Sequence, residues 1–275
     1  MVNLGIIGKP SNWLISSNVD YKEVKEKFSI NLINIDIELL TILSNKFSNF
    51  ELNEYFQSLK YDKEELKKAF HIYLALKEII EKYNLEGITV RCFDLLTTLK
   101  STSCLAFAIL NKEGIIATCE GDIPSLISMY LIKKYCNEVS FQANPSQINL
   151  ENKEIIFAHC TLPLSMCTSF SLLTHFESNI GVSIKGKLKE DNITIFKLSA
   201  NLKDYKIIEG KIIENLNYNN LCRTQIKIKV NNIDDLKYFL TKPLGNHHII
   251  FYGHKQKYLS EIMSEILKKI KNCKF

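Results

Sequence analysis

Two carboxylates follow an apolar segment in the middle of the chain. Residues Gly114 to Thr118 form a short apolar run, and Cys119-Glu120-Gly121-Asp122 comes directly after it. Asp122 is placed to cap a helix that begins behind it, whereas Glu120 has no capping role. A carboxylate at the end of an apolar strand needs a partner, and a metal ion is a common one. The pattern predicts a ligand site at the carboxyl end of a strand, where open α/β sheets bind their ligands.

Histidines in the second half of the chain offer nitrogen ligands for the same site. His159 ends a predicted strand, His175 lies in a loop, and His247 with His248 follows Gly245. A structural role is the simpler interpretation of each histidine taken alone. Together with a glutamate they form a mixed oxygen and nitrogen set that Mn²⁺ or a similar divalent ion accepts. The histidines are far apart in sequence, so spacing alone does not define a local metal motif.

Composition describes an ordinary soluble protein. Of the 275 residues, 46% are hydrophobic and 24% are charged, and the net charge of +5 is spread without a basic block. Nucleic-acid binding needs clustered Lys and Arg, so we expect no nucleic-acid partner. No apolar run reaches membrane-spanning length, and no signal-peptide pattern opens the chain. The eight cysteines stand singly, which predicts reduced thiols and a cytoplasmic protein without a membrane partner.

Common catalytic motifs do not occur in this sequence. It contains no Gly-x-Gly-x-x-Gly fingerprint and no Gly-x-Ser-x-Gly elbow, and its one Gly-x-x-x-x-Gly-Lys string, from Gly181 to Lys187, is followed by Leu188 where a phosphate-binding loop needs Ser or Thr. Phosphoryl transfer, dinucleotide chemistry and hydrolase chemistry therefore lack their usual sequence support.

Strands and helices alternate through the first half of the chain, which predicts a Rossmann-like parallel sheet with helices on both faces in a domain of residues 1–145. The predicted strands are 2–8, 30–35, 88–92, 114–118 and 139–143, and the helices are 20–28, 38–47, 62–83, 104–110 and one capped by Asp122. Residues 146–275 predict a mostly antiparallel β domain, so the fold class is α/β followed by α+β. Its predicted strands are 155–160, 181–184, 193–198, 205–213, 225–230 and 249–252, with helices at 233–240 and 259–270.

Several short motifs resemble, in the same order, those of the L-fucose isomerase-like proteins, relatives of the L-fucose and L-arabinose isomerases. The motifs are Gly8-Lys9-Pro10-Ser11, Thr89-Val90-Arg91-Cys92-Phe93-Asp94, Cys119-Glu120-Gly121-Asp122, Ala158-His159-Cys160, Thr174-His175-Phe176-Glu177-Ser178 with Gly181-Val182, Cys222-Arg223-Thr224-Gln225 and Gly245-Asn246-His247-His248. The resemblance spans nearly the whole chain. It implies a Mn²⁺-dependent (or other divalent-cation-dependent) aldose–ketose isomerase that acts on a small-molecule sugar through an enediol.

The resemblance also implies roles for individual residues. Glu120 would bind the metal and act as an acid/base group, His247 would be a second ligand, and His175 matches a further ligand of the arabinose branch. Asn144 falls where the fucose branch has a metal-binding aspartate. Since asparagine cannot act as a base, the remaining candidates for that role are Glu120, Glu177 and Asp122.

Further residues are expected to contact the sugar, namely Trp13, Arg91, His159 and His175. Trp13 is the only tryptophan and follows the first predicted strand, so it either belongs to the core or packs on a ligand.

A second departure from the family concerns the N-terminal side. Members of the family carry a further Rossmann-like domain before the segment that begins here at Val2, and that domain helps to wall the sugar pocket, often from a neighbouring subunit. We therefore expect a homo-oligomer, or a hetero-oligomer with a separate chain that supplies the N-terminal domain. The alternative is a non-catalytic sugar- or metal-binding module, or a partner subunit that completes another chain.

Overall fold

A computed structural model describes residues 1–268 of the chain. The strands are β1 Val2–Ile7, β2 Ile30–Ile35, β3 Gly87–Val90, β4 Ile116–Cys119, β5 Phe141–Asn149, β6 Glu154–His159, β7 Cys167–Leu173, β8 Ser183–Leu188, β9 Asn192–Leu198, β10 Tyr205–Asn215, β11 Thr224–Val230 and β12 His248–Tyr252. The α-helices are α1 Tyr21–Phe28, α2 Ile37–Lys46, α3 Glu54–Ser58, α4 Lys63–Tyr83, α5 Asp94–Thr98, α6 Cys104–Lys112, α7 Ile123–Cys136, α8 Ile233–Thr241 and α9 Gln256–Lys268. The end of the predicted helix 259–270 and Cys273 lie outside the described residues.

The first half of the chain forms a parallel sheet with the strand order β2-β1-β3-β4. Alternate side chains of β1 enter different cores. Leu4 and Ile6 join a cluster that includes residues of α1, α7 and α9, whereas Ile7 joins a cluster with residues of α2, α4 and α6. Because successive side chains of a strand point to opposite faces, both faces of the sheet are covered by helices. The predicted combination of a parallel sheet with helices is therefore confirmed.

The outer edge of β4 is closed by side-chain amides in place of a further strand. Asn111 bonds both main-chain groups of Ala117, with N–O distances of 2.8 and 3.2 Å. Gln142 does the same for Cys119, where the Cys119 N–H donates to Oε1 (2.7 Å) and Nε2 donates to the carbonyl (3.2 Å). Both amides are buried, so they satisfy main-chain groups that water does not reach.

The second half of the chain forms a closed antiparallel barrel of strands β10-β11-β6-β5-β12-β9, with β7 and β8 as a separate two-stranded sheet. The predicted antiparallel character is thus confirmed, although β7 was not anticipated. The prediction that segment 139–143 is the last strand of the parallel sheet was wrong. The segment becomes β5, whose Phe141 and Ala143 enter the barrel core, and it pairs with β6 and β12.

Four predicted helix starts, at 20, 38, 62 and behind Asp122, hold to within one residue because their caps are local. The side chains of Asp20, Asp36, Asp62 and Asp122 each accept a main-chain N–H from the first turn of the helix that follows. Among residues 1–268, no helix combines the length and apolar character that crossing a membrane requires.

Candidate metal and sugar site

The turn after β4 holds Glu120 in an uncommon backbone conformation. Its φ of +64° is left-handed, and that of Gly121 is +59°. A Cβ atom on Gly121 would lie 2.7 Å from the carbonyl oxygen of Lys9, so only glycine fits there. The Ser11 hydroxyl donates to the Glu120 carbonyl, and the Gly121 N–H donates to Val90. Backbone strain of this kind persists where the surroundings enforce it, often at functional sites.

The Glu120 carboxylate meets two imidazoles and an indole. Its Oε1 lies 3.2 Å from His247 Nε2 and 3.7 Å from His159 Nε2, while Oε2 accepts a 2.9 Å hydrogen bond from Trp13 Nε1. One ligand atom each from Glu120, His159 and His247 lies within 4.8 Å of the other two. A carboxylate oxygen and two imidazole nitrogens so arranged can hold one divalent cation.

Each of the two imidazoles is oriented through its other nitrogen. His247 Nδ1 donates to Asp122 Oδ2 at 2.9 Å, and His159 Nδ1 is hydrogen-bonded to Thr161 Oγ1 at 2.8 Å. Such outer contacts select the ring orientation of metal-binding histidines. His248 faces elsewhere, because its Nε2 is bonded to the Tyr238 hydroxyl.

Charges at the site are strongly coupled. Burial opposes ionisation of Glu120, yet the charge of His247 and hydrogen bonds from His159 and His247 keep its pKa well below the usual range. Burial would lower the pKa of His247, but Glu120 and Asp122 raise it to about 9. Burial of Asp122 is likewise outweighed, chiefly by Lys197 and His247, and its pKa falls to about 2. Burial lowers the pKa of His159.

A cavity of about 690 Å³ opens beside Glu120. Its lining residues are Trp13, Leu14, Ile15, Phe93, Glu120, Asn144, Pro145, Glu177, Phe239, Pro243, Gly245 and Asn246. This volume lies in the range of small-molecule sites, and the mixture of apolar rings with a few polar groups is typical of them. Partial burial and the charge of Glu120 raise the pKa of Glu177.

Trp13 is held in the cavity wall by two aromatic contacts. The guanidinium of Arg91 lies 4.5 Å from the indole ring, and Phe93 meets it edge-on with centroids 5.4 Å apart. Arg91 itself is not among the residues that line the cavity, since its nitrogens bond Pro10 O, Asn12 Oδ1 and Asp94. In this structure Arg91 therefore supports Trp13 and the loop after β1.

The structure brings together some of the sequence-predicted residues and separates others. Trp13, Asn144 and Glu177 line the same cavity as Glu120. Asp122 is fully buried behind His247 and does not reach the cavity. His175 lies outside the group of three ligand atoms.

His175 instead lies in the loop after β7 and is not among the residues that line the cavity. Its ring packs edge-on against Phe93, with centroids 5.9 Å apart, and Nδ1 is bonded to Ser178. Burial, together with the charge of His159, lowers its pKa to about 4. His159, predicted to contact the sugar, takes the place beside Glu120 that was predicted for His175.

Two residues next to the site were missed at the level of sequence. Gln142 anchors the main chain immediately before Glu120, and Lys197 contacts Asp122. An amide on a strand carries no sequence signal for such a role. A single lysine inside the apolar run Ile193-Thr194-Ile195-Phe196-Lys197-Leu198 does carry one, because lysine is seldom buried without a partner.

Comparison with known proteins gives distant isomerase relatives. No protein-family model matches the chain. It is 20% identical over 223 residues to a sulfoquinovose isomerase of Alkalicoccus urumqiensis, covering 76% of this chain and 50% of that protein. Sulfoquinovose isomerases of Priestia aryabhattai and Priestia megaterium are each 21% identical over 195 residues, covering 68% of this chain and 44% of theirs. The chain spans about half the length of the curated relatives it matches. Their names agree with the predicted isomerase character, while the narrower resemblance to L-fucose isomerase-like proteins stays a prediction.

Proposed function

We propose that this chain carries the cation-binding part of the active site of a sugar isomerase that interconverts an aldose and a ketose. The observation that carries the proposal is the convergence of Glu120, His159 and His247 beside a sugar-sized cavity. The distant similarity to proteins named sulfoquinovose isomerase supports the same reaction class.

Glu120, His159 and His247 would hold the cation, for which Mn²⁺ is our first candidate. The donor set fits, because it combines one carboxylate with two imidazoles whose rings are fixed from behind. When bound, a divalent cation polarises the sugar carbonyl and acidifies the neighbouring hydroxyl. Asn144 on the cavity wall offers a further carbonyl oxygen to the sugar or the cation.

Glu177 would carry the proton between the two reacting carbons. Both oxygens of Glu120 already face partners, His247 on one side and Trp13 on the other, whereas Glu177 faces the cavity. In the open-chain aldose, the Glu177 carboxylate takes the C2 proton as the C1 carbonyl becomes part of an enediol. The same group returns that proton to C1, while the O2 hydroxyl proton moves to O1. A raised pKa suits a group that both accepts and returns a proton.

We propose that another polypeptide supplies the remaining walls of the pocket. This polypeptide is either a second copy of this chain or a chain that corresponds to the unmatched part of the relatives. We also infer a division into a Rossmann-like α/β domain and a second, β-rich domain, with the boundary before β5 rather than at residue 145, because β5 (Phe141–Asn149) belongs to the barrel. Glu120 then comes from the first domain, and both histidine ligands come from the second.

The test combines calorimetric titration with Mn²⁺ and a turnover assay. The purified chain is incubated with Mn²⁺ and a panel of pentoses, hexoses, deoxysugars and sulfoquinovose, and ketose formation is followed by NMR. We expect Glu120→Gln to lose both Mn²⁺ binding and turnover. Glu177→Gln should keep Mn²⁺ binding and lose turnover by about 10²- to 10⁴-fold. Glu154→Gln, at the opposite end of β6 from His159, is the matched control and should behave as wild type.

Two outcomes would contradict the proposal. Absence of Mn²⁺ binding by the wild-type chain removes its basis. Binding without turnover, also in the presence of a co-expressed partner, favours the second candidate, a non-catalytic sugar- or metal-binding module. That candidate is motivated by the half-length match to the relatives and by Asn144 at the predicted aspartate position.

A further inference from the structure

A lysine is completely buried next to the proposed cation site. Lys197 lies in β9 with 0% exposure, and its Nζ is 3.4 Å from Asp122 Oδ2 and 3.3 Å from Ser125 Oγ. Taking an ammonium group out of water is strongly unfavourable unless a well-placed partner compensates. The proposed proton transfer makes no use of this group, so its burial needs another explanation.

The partner of Lys197 is also the partner of His247. Asp122 Oδ2 accepts from His247 Nδ1 at 2.9 Å and from Ser125 Oγ at 2.7 Å, while Oδ1 accepts the Ser125 N–H at 2.9 Å. The contacts therefore run without a break from Lys197 in the barrel, through the cap of α7, to the ring that meets Glu120. The side chains along this series of contacts, those of Lys197, Ser125, Asp122 and His247, are all buried.

Gly245 makes room for the lysine. A Cβ atom at this position would lie 2.7 Å from Lys197 Cε and 2.9 Å from Nζ. Gly245 is not among the residues with positive φ, so space is the requirement here and backbone conformation is not. The motif Gly245-Asn246-His247-His248 thus combines a ligand with the clearance for the lysine that supports it.

We propose that Lys197 is a positioning residue, which acts through Asp122 to keep the Nε2 atom of His247 directed at Glu120. The inference rests on the proposed role of His247 as a cation ligand. The ammonium group balances the buried Asp122 carboxylate and fixes the oxygen that receives the His247 N–H. Without Lys197, the fully buried Asp122 carboxylate loses the ammonium group that balances its charge. It then no longer holds the His247 imidazole in one orientation.

The experiment measures Mn²⁺ affinity by calorimetry on the full chain. Lys197→Met keeps an unbranched side chain of similar volume and removes its charge, and we expect affinity to fall about tenfold. Asp122→Asn should cost about 10- to 100-fold. The double variant should be no weaker than Asp122→Asn alone, because Lys197 acts only through that carboxylate. Lys27→Met is the control, since Lys27 is 7% exposed and paired with Glu23 in α1, away from the site, and should leave affinity unchanged.

Two further measurements separate positioning from simple space filling. Gly245→Ala leaves the lysine in the chain but displaces it, so we expect weaker Mn²⁺ binding here as well. In the metal-free protein, ¹⁵N NMR of the histidine rings should show a shifted His247 Nδ1 signal in Lys197→Met. A lysine that only fills space would leave that signal in place, because methionine fills the same volume.

The outcomes distinguish this inference from the proposed function. Wild-type affinity and an unshifted His247 signal in Lys197→Met would overturn the positioning role while leaving the cation site intact. Additive losses in the double variant would refute the route through Asp122. Failure of the wild-type chain to bind Mn²⁺ would overturn both the site and this inference. Should Lys197→Met not fold, Gly245→Ala decides, and unchanged affinity in that variant counts against the inference.

Discussion

Replacing Gln142 by leucine should damage both the stability of the fold and the proposed cation site. The side chain is buried and bonds the N–H and the carbonyl of Cys119, the residue before Glu120. Leucine of similar size would leave the Cys119 N–H buried without a partner, and the carbonyl would keep only the 3.4 Å hydrogen bond from the Asp122 N–H. A buried group without a partner costs about 1–3 kcal/mol and the lost bond to the carbonyl adds about 1 kcal/mol, so the free energy of unfolding should fall by about 2–4 kcal/mol. Since domains are stable by about 5–15 kcal/mol, the variant should remain folded at low temperature.

Asn111→Leu provides a matched control for this change. Asn111 bonds the N–H and the carbonyl of Ala117 on the same edge of β4, two residues before Cys119, and it is also buried. Its loss should cost the free energy of unfolding a similar amount. Of these two amides, Gln142 is the one that bonds the residue directly before the left-handed Glu120, so its loss and not that of Asn111 should weaken Mn²⁺ binding, by about tenfold.

Urea unfolding and calorimetric titration with Mn²⁺ measure the two effects separately. Equal Mn²⁺ affinity of both variants would refute the idea that Gln142 positions Glu120. An unchanged urea midpoint for Gln142→Leu would refute the assignment of its amide to the edge of the sheet. The expected pattern is a shared loss of stability with a loss of affinity in Gln142→Leu alone.

Three other changes follow from the same contacts. Burial lowers the pKa of His248 to about 3, so the folded state keeps it neutral while the unfolded chain takes up a proton below about 6.5. The stability that neutral His248 contributes is therefore present above pH 6.5 and is lost as the pH falls towards 3, by up to about 1.4 kcal/mol per pH unit. Urea unfolding at a series of pH values from 7 to 4 should show that the free energy of unfolding of His248→Gln falls less steeply with falling pH than that of the wild type. Trp13, the only tryptophan, donates to Glu120 and should report Mn²⁺ binding by its fluorescence. Trp13→Phe should weaken calorimetric affinity by about 1 kcal/mol, and an unchanged affinity would show that this hydrogen bond does not hold the ligand. Gly121→Ala, which places a Cβ 2.7 Å from Lys9 O at a φ of +59°, should lower the urea midpoint and Mn²⁺ affinity together, whereas Gly114→Ala has no atom within 4 Å of its Cβ and should leave affinity intact.

Helix starts and strand bounds were predictable wherever the contact that decides them is local. Asp122 caps α7 because its carboxylate reaches a main-chain N–H three residues away, and that geometry is readable from order alone. Strand 30–35 was predicted with its observed bounds, because apolar residues next to a helix stop define it without help from the rest of the chain.

The choice among the histidines was not predictable in the same way. His159 ends β6 and His175 follows β7, and both were expected near the sugar. Which of them meets Glu120 depends on the barrel register, in which His159 pairs with Thr224 and His248 pairs with Ala143. Nothing in the spacing of the residues encodes that closure.

The sequence by itself determined most of the helices and strands, the cap at Asp122 and the set of groups able to bind a cation, because these follow from local contacts and residue chemistry. Only the tertiary structure decided that Glu120 and His247, 127 positions apart, face each other at 3.2 Å. It also decided that Lys197 and Gln142 support them from behind. The physical reason is that the barrel closes through main-chain hydrogen bonds and core packing between distant strands, and this closure sets which side chains share a point in space.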